Sequence, residues 1–323
     1  MNLDRTFRRF DRAQQRLPGA GFAFAVLRKY GDDQAGNLAA LIAYYAFVSV
    51  FPLLLIFVTV LGLVLPSHPG LQHRLLTSAL GEFPVIGDQL RLAGIHGDWW
   101  VLAVSIAISI WGARGVANAA QHAFNEVWDV PYAQRPGFLP GLARSLAMLL
   151  LLGLAVVLTG ILSGVGAAGT LAVPVRVAVF AISTAVNIGV FVLAFRLATA
   201  PVVRTRCLIL GAVVSALLWQ VLLAAGGLLV THQVRHAQSL YGAFGVVLGL
   251  VGWLQIQAQL TVLAIEVDVV RERRLWPRSA SPPPLTQADR EALTAYARSA
   301  RRLPADQQDI DVTFPDAKPA GPR

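Results

Sequence analysis

Residues 38–65 carry no charged side chain. As a helix that run is about 42 Å long, well beyond the roughly 30 Å of a bilayer's hydrocarbon core. So long an apolar stretch cannot be left in water, and it sets lipid as the solvent for the chain around it. NLAALIAYYAFVSVFPLLLIFVTVLGLVLP reads as a first membrane-spanning helix, long enough to tilt or bend. Its middle holds Tyr44, Tyr45, Ser49 and Pro52, which an inert anchor does not need. At about 100° per residue, Tyr45, Ser49, Pro52 and Thr59 share one face. Pro52 leaves the Val48 carbonyl without its usual donor. Such a break implies either a structural kink or a hinge whose free carbonyl faces a substrate.

Composition extends this to the whole chain. The 323 residues are 55% hydrophobic and 14% charged, with mean hydropathy +0.59, against about 25% charged in a soluble domain. Trp99 and Trp100 form an aromatic entry to a second apolar run whose helical pattern continues toward Asp129. Residues 145–175 and 177–195 are uncharged on either side of Arg176. Gly164, Gly166, Gly169 and Pro174 divide that stretch into a tight hairpin of spans three and four. Span five covers 207–230 and span six 241–265, with a short outer turn at His232, Arg235 and His236. The expected fold class is all-α, a polytopic membrane protein of six transmembrane helices with short interfacial helices, the latter in 67–98.

Three regions follow. Residues 1–31 form a cytoplasmic amphipathic segment, with Phe7, Phe10, Phe22 and Phe24 toward lipid and the arginines toward headgroups. The apolar run at 22–27 is shorter than the core of a secretory leader, so no cleavable signal is expected. Asp32 and Asp33 are placed to cap the first span. Residues 32–276 make the membrane domain. Residues 277–323, rich in Pro and Arg, read as a disordered cytoplasmic tail.

The net charge of +9 and a pI near 10.5 would point to nucleic acid in a soluble protein. Here the cations follow topology instead. Only Arg74, Arg91, Arg176 and Arg235 fall on the side opposite the termini, which places both termini in the cytoplasm at the inner membrane. The single cysteine, Cys207, excludes an internal disulfide and most thiolate metal sites. GVGAAG at 164–169 fits a dinucleotide-loop pattern but follows no strand. HQVRH at 232–236 has Gln233 in place of a general base, and Arg235 would repel a metal. No cofactor, no metal and no catalytic set is expected, so the chain reads as a non-enzyme without a nucleic-acid partner.

Two polar faces carry the functional signal. In span six, Tyr241, Gly245, Gly252, Gln255, Gln259 and Glu266 fall within about 80° of one another. They form either a packing face, with Gly245 and Gly249 allowing close approach, or one wall of a polar cavity. In span two, Trp111, Arg114, Asn118, Gln121, His122 and Asn125 share a face. Arg114 lies about 21 Å along the helix from Trp100. It either faces the bundle interior, with Glu126 and Glu266 as candidate counter-ions, or snorkels to the cytoplasmic surface. The candidate intramembrane site is therefore Tyr45, Ser49, Pro52, Arg114, Asn118, Asn125, Tyr241, Gln255, Gln259 and Glu266. Two functions fit it. One is transport or lipid handling, with membrane lipids, anionic ones among them, as partners. The other is a scaffold for envelope proteins or further copies of the chain.

LAALIAYYAFVSVFPLLL, ISIWGARGVANAAQHAFNEVWDV, APVVRTRCLILGAVVSALLW and SLYGAFGVVLGLVGWLQIQAQLTVLAIEVDVVRERRLWPR occur in this order. They resemble the YihY/BrkB family of bacterial inner-membrane proteins over roughly residues 20–280. Tyr44, Tyr45, Ser49 and Pro52 match that family's first span. Asn125 and Trp128 match its Asn-x-x-Trp, Tyr241 and Gly242 its Tyr-Gly, and Glu266 its terminal acid. Asp268 stands where the family commonly has Asn, and Ala264 where it commonly has Gly. The resemblance implies a six-helix inner-membrane protein with an envelope or transport role. Members were once labelled ribonuclease BN, and no nuclease-like residue set in this sequence supports that label.

Overall fold

The computed structural model describes residues 11, 14, 15, 17–64, 99–166, 173–280, 282 and 284–314. The backbone alone is described at 18, 50–64, 99, parts of 101–113, 153, 156–166, 173, 176 and 224–246. The helices are α1 (Pro18–Asp32), α2 (Ala35–Val64), α3 (Trp99–Val127), α4 (Phe138–Gly166), α5 (Val173–Ala198), α6 (Ile209–Arg273) and α7 (Gln287–Ser299). Short 3-10 turns stand at Tyr132–Gln134 and Thr205–Leu208. No strand occurs among the described residues. The expected interfacial helices at 67–98, the outward Phe7 and Phe10, and the glycine turn at 167–172 lie outside those residues.

Lipid is the solvent that this arrangement fits. Val177–Ala198, Thr205–Leu223 and Val247–Arg273 are each long and apolar enough to cross a membrane, and Ala35–Ser49 and Phe138–Leu152 are shorter apolar helices. Large side chains stand outward from them: Leu150 is 76% and Phe180 64% exposed. Contiguous apolar surface of that kind is a liability in water and none in hydrocarbon.

Helix α6 spans 65 residues and would measure about 97 Å if straight. Its ends nevertheless meet. The Gly211 backbone N–H donates to Asp268 Oδ1 at 2.7 Å, across 57 residues of chain. The chain must therefore reverse within α6, giving two arms, Thr205–Leu223 and Val247–Arg273, each of spanning length. This agrees with separate fifth and sixth spans. The turn expected at His232–His236 falls where only the backbone is described. Gly211 is what lets the arms touch, because a Cβ there would collide with the Asp268 carboxylate and the Ala264 carbonyl. Helices α4 and α5 likewise pack together, as a hairpin of spans three and four requires.

The chain forms two compact units. One comprises Ala39–Ala119 and Leu218–Ala258. In it the Tyr45 ring lies against Gly115, where any Cβ would strike it, and Tyr44 meets Tyr45 edge-on at 5.3 Å. The other comprises Met1–Leu38, Ala120–Leu217 and Gln259–Arg323. Its core joins Phe124 edge-on to Phe195 at 4.8 Å and buries Leu208, Val262, Ile265, Val269, Val270 and Leu275.

The chain termini depart from expectation. The tail is ordered rather than disordered through Phe314. Thr286 caps α7 in a reciprocal capping box with Asp289, which satisfies orphan amides at its start. Arg278 donates from Nε to Asp289 at 2.9 Å and pairs with Asp32 of α1 at 3.0 Å. Hydrogen bonds from Ser279, Arg278 and Thr286 outweigh the upward push of burial and hold the Asp289 carboxyl below its usual range. Phe22 of α1 packs edge-on against Trp276 at 5.3 Å, and Arg28 donates to the Ser279 carbonyl at 2.6 Å. The segment expected to lie on lipid thus packs on the tail. Proline-rich composition masked this, because the structure comes from a few buried ion pairs rather than from an apolar core.

Asp289→Ala leaves Arg278 buried without its closest carboxylate, so it should destabilise the docked tail by about 3–5 kcal/mol. Thermal unfolding in detergent and trypsin cleavage within 276–314 measure this. An unchanged melting temperature and cleavage pattern would refute the docking.

Candidate functional site

The polar centre of the larger unit is a buried ammonium ringed by carboxylates. Lys29, in the last turn of α1, and Glu266, in the second arm of α6, are both 0% exposed. The Lys29 Nζ lies 2.5 Å from Asp33, 3.7 Å from Asp129 and 3.7 Å from Glu266. Asp129 is also held by Arg273 at 2.8 Å, and Arg273 donates a second bond to the Trp128 carbonyl. The Tyr296 ring of α7 closes the far side, its centroid 5.3 Å from the Lys29 ammonium.

Three corners deliver these groups. Gln34 follows Asp33, Asp129 follows α3, and Arg274 follows Arg273, and each has a left-handed backbone (φ 50°, 49° and 53°) although none is glycine. Such residues cost of order 1 kcal/mol or more apiece. They persist because each points a neighbouring or its own side chain into the cluster. Arg274 ends α6 with N–H groups returned to the Val270 and Arg271 carbonyls, a left-handed helix stop.

Electrostatics decide the ionisation. Burial alone would drive the Lys29 pKa down, but Glu266, Asp129 and Asp33 together push it above its ordinary value, so the ammonium is retained. Burial pushes the Asp129 carboxyl up to about 6 against the pull of Lys29 and Arg273. It raises Asp33 too, against Lys29, and it raises the Tyr296 phenol. Neither oxygen of Glu266 meets a hydrogen-bond donor among the described residues. No group of three or more His, Cys, Asp or Glu in metal-holding geometry occurs among the described residues.

Beside the cluster opens a cleft of about 650 Å³, lined by Asp129, Arg273, Arg290, Glu291, Thr294 and Arg298 among others. Asp129 and Arg273 belong to both cleft and cluster.

Of the residues singled out from sequence, Glu266 sits in this cluster. Asn125 is buried: its Nδ2 donates to the Gln121 carbonyl at 2.7 Å and its Oδ1 accepts the Ala200 N–H at 2.8 Å. Gln121 in turn bonds Ser145 at 3.0 Å. Ser49 donates to the Ala46 carbonyl at 2.8 Å. Arg114, Gln255 and Gln259 are half-buried and Asn118 is exposed. The side chains of Pro52 and Tyr241 lie outside the described residues, and α2 stays helical through Pro52. Glu126, expected as a counter-ion for Arg114, pairs with Arg135 at 2.8 Å. Asp33, expected as a helix cap, gives its carboxylate to Lys29. Lys29, Asp129, Arg273 and Tyr296 were not foreseen as site residues. One signal was available: Lys29 is one of two lysines in an arginine-rich chain.

The chain matches the virulence factor BrkB family over residues 26–288. It belongs to that family. No curated protein matches it, and no solved structure does. The matched range takes in Lys29, Asp33, Asp129, Glu266 and Arg273 and ends at the start of α7. This BrkB-family protein therefore carries Tyr296 on a segment beyond the family match.

The raised Asp129 has a directional consequence. A carboxyl whose folded pKa exceeds its unfolded value near 4 adds stability that is full below pH ~4 and lost as pH rises through about 6. Lys29, shifted up from an already high value, stays charged throughout that window. The melting temperature in detergent should fall between about pH 4 and 6, and Asp129→Asn should remove about 1–3 kcal/mol of that slope. Identical slopes in wild type and variant would contradict this.

Proposed function

We propose that this BrkB-family membrane protein handles lipid or another anionic substrate through a polar path between its spans, without catalytic chemistry. The observation that carries the reading is the fully buried Lys29–Glu266 cluster at the end of a spanning arm. Ionisable groups at the ends and interiors of membrane helices are expensive and mark ion or substrate routes. Support also comes from Arg273, Arg290 and Arg298 on the adjoining cleft, whose charge suits phosphate-bearing headgroups. Arg114 and Asn118 on α3 and Gln255 on α6 supply polar surface in the other unit. In purified protein reconstituted with fluorescent anionic lipids, wild type should move lipid between leaflets. Arg114→Ala and Glu266→Gln should slow it several-fold. Equal rates in wild type, variants and empty vesicles would remove this reading for those lipids.

A second reading, a scaffold for envelope proteins or further copies of the chain, is favoured by Ser49, Gln121 and Asn125, whose hydrogen bonds are made to other groups of the chain. Under both readings the protein spans the bacterial inner membrane six times, α6 supplying two crossings, with both termini cytoplasmic. Reporter fusions after Phe314 should be active only on the cytoplasmic side. A reporter active outside would break the six-span topology.

A further inference from the structure

The charges of the cluster do not balance. Lys29 and Arg273 face Asp33, Asp129 and Glu266, two cations against three carboxylates. The side chains of Lys29, Asp33, Asp129 and Glu266 are at most 4% exposed. A surplus buried carboxylate is neutralised rather than left ionised. Glu266 is where the surplus falls. Its oxygens meet no donor, and its cation, 3.7 Å away, is shared with Asp33 and Asp129. A proton on Glu266 or Asp33 would turn two repelling acceptors into a donor and an acceptor.

We propose that this cluster is a one-proton binding site, in which Glu266, Asp33 and Asp129 share a single exchangeable proton taken from and returned to water through the cleft beside Asp129. On binding, one O–H bond forms on a carboxylate oxygen as one O–H bond of a hydronium ion breaks to leave water, and the cluster goes from one net negative charge to neutral. No other co-reactant is involved. The groups facing the proton come from every element packed there: Lys29, Tyr30, Asp32 and Asp33 at the end of α1, Glu126 and Asp129 at the end of α3, Glu266 and Arg273 on α6, and Tyr296 on α7. Asp32 and Glu126 are engaged by Arg278 and Arg135, which leaves the count at three carboxylates to two cations. The direction of the Asp129 and Asp33 shifts agrees with it. The site stands independently of whether the spans move a substrate.

Infrared difference spectra of the purified protein between pH 5 and 8 test it. Wild type should show a carboxylic-acid carbonyl band that shifts in deuterium oxide and titrates as one proton. Glu266→Gln should abolish or displace that band, while Asp306→Asn, at an exposed tail position, should leave it intact. Lys29→Met should move the midpoint upward by about 1 pH unit or more, since removing an opposite charge raises a carboxyl pKa. If a variant fails to fold, wild type still decides. Absence of any buried carboxylic-acid band across that range would overturn the proposal, as would a band equally present in Glu266→Gln.

Discussion

The ammonium of Lys29 is the interaction on which the larger unit depends. Taking one lysine out of water costs several kcal/mol. A carboxylate at 3.7 Å returns about 4 kcal/mol at the effective dielectric typical of such sites. One partner would roughly break even. Three carboxylates, with the face of Tyr296, turn the balance in favour of the charged, buried state. Those partners come from the end of α1, the end of α3, the second arm of α6 and α7. A single charge thereby draws together segments far apart in sequence. This also accounts for the three left-handed non-glycine corners: local backbone strain is tolerated where a strong, short-range interaction fixes the geometry.

The spanning helices face a different problem. In hydrocarbon no hydrophobic force draws apolar helices together, so association relies on close contact and hydrogen bonds. The α6 arms meet in that way, through a glycine backbone that donates to Asp268. Tyr45 on Gly115 is the counterpart in the other unit. Asn125 does similar work where α3 ends, holding the Ala200 amide just beyond α5. Glycine and amide side chains therefore mark the places where helices touch. Gly249 and Gly252 do not, since a Cβ at either meets nothing within 4 Å among the described residues.

The membrane character was legible because it is a property of runs. Charge-free stretches of 19 or more residues can hardly arise except as spans, and the structure returns helices where those runs stand. Separate fifth and sixth spans are expected from the polar interval between them, and the Gly211–Asp268 contact is consistent with that. The cluster was not legible, because it is a property of pairs. Lys29 sits in a basic segment that looked like a headgroup anchor, Asp33 before a span that looked in need of a cap, and Asp129 in a polar loop. Each has a sufficient local explanation, and only long-range contact shows that these charges face one another. Glu266 was noticed because a carboxylate at the end of an apolar run has no local explanation. The ordered tail was missed for the same reason: Arg278 and Asp289 hold it through contacts that composition does not encode.

The placement of the cluster bears on which kind of machine this is. A bundle that only had to stay folded would be at least as stable with apolar residues in place of a buried ion group. Charge at this position therefore has to be justified by specificity or by use. Specificity alone would be met by a balanced pair, such as Arg135 with Glu126. An unbalanced set next to an open cleft is what use would select. Lys29 of α1 meets both Glu266 and the Tyr296 ring of α7, so a change of charge at Glu266 is felt on both helices through one ammonium. That couples the end of a spanning arm to the two terminal segments, through contacts of a few ångströms and without any long relay.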